Sequence, residues 1–64
     1  MKFNLNQVEQ DFKVSEDDAE RKELLLSVMQ EWTRRYNDGS LTFIDAVRYQ
    51  NVAEMMVQSL EVGQ

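Results

Sequence analysis

Before residue 63 the chain contains one glycine and no proline. These two residues are the strongest local breakers of regular structure, so long uninterrupted segments are imposed on any fold that forms. The lone interior glycine stands in Asn37-Asp38-Gly39-Ser40. Asn and Asp there favour a turn, and Gly39 favours the left-handed conformation that closes a helix. An acidic N-terminal part is thereby separated from a more apolar C-terminal part.

The patterns on both sides of the turn are helical. Ser15 is placed to cap the first free amides of a helix, and Asp18 three residues later completes a capping-box-like pattern. Glu16, Asp17 and Asp18 lie at the positive end of the helix dipole, with Arg34 and Arg35 at the other end. Asp17–Arg21, Asp18–Lys22 and Glu31–Arg35 are acid-to-base pairs at i,i+4, each worth about 0.2–0.5 kcal/mol. Leu25, Val28, Met29, Trp32 and Tyr36 recur at helical spacing and form one apolar stripe. The pattern predicts a helix over 16–37 within a segment 15–38, followed by a turn at 39–42.

Beyond the turn, Thr42 is the candidate N-cap, with Asp45 three residues on. Nothing breaks a helix from 43 to 61 within the segment 43–62, and Gly63 stands as its stop. Ala46, Tyr49, Ala53, Met56 and Leu60 step by three and four residues, a short heptad seam whose two alanines permit close helix approach. In the first fourteen residues Leu5, Val8 and Phe12 have helical spacing and Asn4 with Gln7 suits a cap, whereas Lys2-Phe3-Asn4-Leu5 alternates like a strand. A short helix or arm over 1–14, folding Phe3, Leu5 and Phe12 over the rest, is the expectation. The fold class is all-α: one small domain over 1–64, an antiparallel helical hairpin with an N-terminal helix or arm.

A domain of sixty-four residues buries only about 60% of the surface its unfolded chain exposes. Small domains are commonly stapled by disulfides, a metal or a partner subunit. The chain has neither cysteine nor histidine, which removes the disulfide and the ordinary zinc site. The partner subunit remains. Apolar supply points the same way: Ala46, Tyr49, Ala53, Met56, Val57 and Leu60 make one face of the second helix, while Ile44, Val52, Met55 and Val62 fall opposite. Leu24 and Leu26 flank the stripe of the first helix. Two hairpins pairing as a homodimeric four-helix bundle would hide both faces, and a three-helix monomer is the competing solution.

Chemistry finds little foothold. Ser15, Ser27, Ser40 and Ser59 have no histidine to activate them, and no glycine-rich loop is present to cradle phosphate. No cofactor, metal or catalytic residue is assigned, and the chain is not expected to be an enzyme. No apolar run reaches the roughly 18 residues of a membrane span. Residues 1–6 lack the apolar core of a secretory signal, so a cytoplasmic location is expected. Twelve acidic against seven basic residues give a formal charge of −5, which disfavours direct nucleic-acid binding.

Two surfaces stand out as contact candidates. Glu9, Asp11, Glu16, Asp17, Asp18 and Glu20 form an acidic segment, which reads first as a solvated helix start and second as a surface for a basic partner. Trp32-Thr33-Arg34-Arg35-Tyr36 interleaves aromatics and cations; its aromatics read first as core, leaving Arg34, Arg35 and Arg48 as contact residues. Ile44, Val52 and Met55 fall off the main seam and are the expected second interface. The leading functional expectation is a non-catalytic adaptor, regulator or assembly factor that dimerises and binds a larger protein. An inhibitor that presents its acidic segment to a basic or nucleic-acid-binding groove is the alternative. A third is a structural subunit ordered only within a larger complex.

Overall fold

A computed structural model describes residues 3–62 and consists there of three helices without strands. Helix α1 spans Leu5–Val14, α2 spans Asp18–Asp38 and α3 spans Phe43–Val62. Phe3 and Asn4 are not in a strand, so the alternating reading of the N-terminus is set aside in favour of a helix; Lys2 and Gly63 lie outside the described residues.

Local chemistry explains each boundary. The Asn4 side chain accepts from the Gln7 amide at 3.2 Å and opens α1. Ser15, expected to cap α2, closes α1 instead: its amide donates to the Asp11 carbonyl at 3.0 Å. The cap of α2 is Asp17, whose carboxylate accepts from the Ala19 amide at 3.0 Å. The displacement arises because α1 runs up to Val14, which leaves only three residues to turn the chain. Thr42 caps α3, its hydroxyl accepting from the Asp45 amide at 3.1 Å. Gly39 ends α2 at φ 77°, with its amide bonded back to the last turn.

A methyl group on Gly39 would meet nothing within 4 Å, so substitution there acts through the backbone alone. Gly39→Ala is expected to cost about 1 kcal/mol, the strain of an L-residue in the left-handed region. Gly39→Asn should recover part of it, because asparagine tolerates that region better. Urea unfolding of the three proteins checks the order; an alanine variant as stable as the parent contradicts it.

α2 and α3 run antiparallel. Arg21 near the start of α2 reaches Ser59 near the end of α3, while Arg35 near the end of α2 faces Asp45 in the first turn of α3 at 4.0 Å. α1 lies across one side of this pair. The core is Phe12 from α1, Val28 from α2, and Tyr49, Val52 and Met56 from α3. Leu5, Val8, Leu24, Leu25, Trp32, Ala53, Met55 and Leu60 pack around it.

The presence of α1 decides which sides of the long helices are buried. In α2 the buried and half-buried positions centre near Val28 and include Arg21, Leu24, Glu31 and Arg35. That centre lies about 70° round the helix from the middle of the sequence stripe, at 3.6 residues per turn. In α3 the shift is smaller, about 40°, and brings Val52 into the core. Two expectations are corrected in consequence. Val52, expected on a free partner face, is 6% exposed, and Met55 is half-buried against the core. Met29 and Tyr36, expected in a core or dimer seam along the α2 stripe, are 49% and 74% exposed and so lie outside this chain's own core.

Arg21 was an unexpected member of the interior. Its guanidinium stacks on the Phe12 ring at 4.5 Å, donates to the Ser59 hydroxyl at 2.6 Å and lies 3.7 Å from the Asp18 carboxylate. All three helices meet at this one side chain. Its Nε is buried without a hydrogen-bond partner, which sets a desolvation cost against those contacts. Asp18 thus pairs with Arg21 at i,i+3, in place of the expected Lys22.

Candidate interaction surface

Because α1 covers one side of the α2/α3 pair, the other side is left open. An apolar groove of about 800 Å³ runs there between the long helices. Leu25, Met29 and Trp32 line it from α2, and Ala53 and Val57 from α3. Thr33, Gln50, Glu54 and Gln58 form its polar border. The surface continues along α2 toward the turn, past Thr33 and Trp32 to Tyr36. Met29 and Tyr36 are exposed because this is the side to which the sequence stripe faces and α1 does not reach. Spacing alone singled out Leu25, Met29, Trp32 and Ala53. The polar border was missed because polar residues on a helix carry no periodic signal.

Beside the groove, Tyr49 anchors an aromatic stack. Its ring lies 6.2 Å from Phe3 and 6.4 Å from Trp32, nearly parallel to both, with the Arg35 guanidinium 6.0 Å away. Burial raises the Tyr49 hydroxyl above the usual phenol range, so it remains neutral at ordinary pH. Trp32 therefore has two roles: one part packs on the core and the other borders the open groove.

The arginines singled out from the sequence are engaged within the chain. Arg34 pairs with Glu31 and with Asp38, the latter at 3.3 Å. Arg35 donates to Glu31 at 3.3 Å, and Arg48 donates to the Asn6 side chain, tying α3 to α1. They do not form a free cationic patch. Ile44 is 72% exposed at the start of α3, beside Phe43, which is also exposed. Ala46 is half-buried.

The six acids of the N-terminal segment do not share one face. Glu9 pairs with Lys13 at 3.6 Å, and Asp11 accepts from the Gln7 side chain at 3.0 Å. Asp17 is a cap and Asp18 pairs with Arg21. Glu16 and Glu20 are exposed. Among the described residues no group of three or more acidic side chains is arranged to hold a metal ion, and no helix is long and apolar enough to cross a membrane.

Glu31 is the electrostatic centre of the turn end. Hydrogen bonds from Arg34 lower its carboxyl below the usual range, with Arg35 adding to the effect against some desolvation. Asp38 is also lowered, by hydrogen bonds from Ser40. A carboxylate with a depressed folded-state pKa contributes stability above its unfolded pKa, and loses it as pH falls through the folded value. The parent should therefore lose melting temperature below about pH 4, in the carboxylate range. Glu31→Gln should lose less across the same interval, because its contribution is already gone at neutral pH. Melting both proteins at neutral and acidic pH checks this; equal acid sensitivity contradicts it.

In comparisons with known proteins the chain matches no family, no curated protein and no solved structure.

Proposed function

We propose that this chain is a non-catalytic protein-interaction module, an adaptor, regulator or assembly factor of the cytoplasm. It works by docking the open α2/α3 face on another polypeptide. One observation carries the reading: a chain that closes one side of its hairpin with its own helix leaves the opposite side apolar and uncovered. Contiguous apolar surface rimmed by polar residues is the usual mark of a protein contact. The polar border favours a helix laid along the groove, with apolar anchors at helical spacing. A homodimer formed through the same face would compete with this partner for the groove. With α1 seated on the other side of the hairpin, two chains would pair as three-helix units rather than as a plain four-helix bundle.

The inhibitor reading, resting on the acidic segment, has less support, because Glu9, Asp11, Asp17 and Asp18 are engaged locally. Photo-crosslinking in cells that make the protein separates the two. A photoreactive residue at Thr33, on the groove border, is expected to yield protein adducts, and one at Glu20 to yield none. The opposite pattern favours the acidic surface, and adducts from neither position contradict both readings.

A further inference from the structure

We propose that Asp38 is a site of spontaneous modification that the fold holds latent: the Gly39 amide converts it to isoaspartate only when the α2–α3 turn opens. The sequence provides the reacting pair. Of the chain's two glycines, Gly39 alone follows an acidic or amide residue. A backbone amide attacks the carboxyl of the preceding aspartate most readily when its own residue has no Cβ to obstruct the approach. The Gly39 nitrogen bonds to the Asp38 carboxyl carbon, and water departs as the acid's hydroxyl and the amide's hydrogen. A five-membered succinimide results. Water adding at its main-chain carbonyl breaks the bond from that carbon to nitrogen, after which the backbone runs through the Asp38 side chain. One water leaves and one returns, so the mass is unchanged.

The folded turn restrains both partners of this reaction. Asp38 is the last residue of α2 and Gly39 is its cap. The Gly39 amide, which must attack, donates back to the Tyr36 carbonyl at 3.4 Å. Both carboxylate oxygens of Asp38 are engaged: Oδ1 accepts from the Ser40 amide at 2.9 Å, and Oδ2 from the Arg34 guanidinium at 3.3 Å. The Ser40 amide also donates to the Arg35 carbonyl at 3.1 Å, which ties the carboxyl to the helix end. Hydrogen bonds from Ser40, with the Arg34 charge adding to them, lower the Asp38 carboxyl below the usual range. Water departs from the protonated acid, so this also slows the reaction. Attack needs an opening that frees the amide and the carboxyl together. Isomerisation in turn lengthens the main chain at the cap, which displaces Gly39 and Ser40 from the carbonyls they now bond.

Incubation at neutral pH and physiological temperature tests the proposal. Isoaspartate is quantified by enzymatic methylation and placed by fragment mass spectrometry. The folded parent should gain it at position 38 about tenfold or more slowly than the parent in urea, because local opening governs the reaction. In urea, Gly39→Ala should gain it several-fold more slowly than the parent, because the added methyl obstructs the attack. Modified chain refolded from urea should melt below unmodified chain treated alike. A folded parent that modifies as fast as the unfolded one overturns the latency of the site. Equal isoaspartate in Gly39→Ala, or its formation at other acids in place of Asp38, overturns the assignment.

Discussion

Phe12→Ala is expected to remove a large part of the chain's stability. The Phe12 side chain is buried to within 1%, contributes the only buried residue of α1 and supports the Arg21 guanidinium at 4.5 Å. Truncating a buried phenylalanine costs about 3–5 kcal/mol from lost transfer energy and the cavity left behind. A domain of this length has a total stability of only about 3–10 kcal/mol. Loss of Phe12 also releases α1 from the α2/α3 pair and exposes Val52 and Met55, so little of the cost is recovered by collapse. In a helix-monitored melt the variant should begin unfolding at or below 25 °C, or melt about 15 °C or more below the parent, taking 4–8 °C per kcal/mol. A drop of a few degrees would mean that α1 is peripheral to the fold.

The second large effect is a contrast between two valines on α3. Val52→Glu places a carboxylate among Phe12, Val28, Tyr49 and Met56, where it lacks a partner and must remain neutral or draw in water. Its cost is expected at about 4 kcal/mol or more, in the range reserved for buried charge. Val57→Glu, at a position 39% exposed, should cost less than about 1 kcal/mol to the monomer. The two positions lie five residues apart on one helix, and similar residues there would behave alike if α1 were absent. Urea unfolding at low protein concentration, where association contributes least, checks the difference. Equal sensitivity would place Val52 on an uncovered face.

The local features of the fold were legible in the sequence, because their causes are local. Asn4, Thr42 and Gly39 act through bonds to neighbours within a few residues, and the two long helices follow from uninterrupted periodicity. Ser15 shows where local reasoning failed. It has the chemistry of an N-cap, but it closes α1 three residues before α2 begins at Asp18, so the cap passed to Asp17. Which side of each stripe is buried was not legible either. Periodicity locates the apolar face of a helix, but α1 decides how far round that face the core extends. Val52 therefore moved into the interior, and Met29 and Tyr36 moved out. Arg21 stands one turn before Leu24 and Leu25, in register with Val28, and that placement was the available sign of its interior role.

The same cause produced the groove. The α2 half, with Leu25, Met29 and Trp32, stood out as a stripe, and Ala53 stood out as part of a seam. That they line an open surface follows only from the seating of α1 on the opposite side of the hairpin.

Site-resolved methionine oxidation by hydrogen peroxide tests this division most directly, since a thioether oxidises according to its exposure. Met56 is fully buried, Met55 half-buried and Met29 exposed to 49%. In dilute protein Met29 should oxidise fastest, Met55 more slowly and Met56 slowest. Oxidation of Met56 as fast as Met29 in the folded chain would contradict a core closed by α1 and an open α2/α3 face.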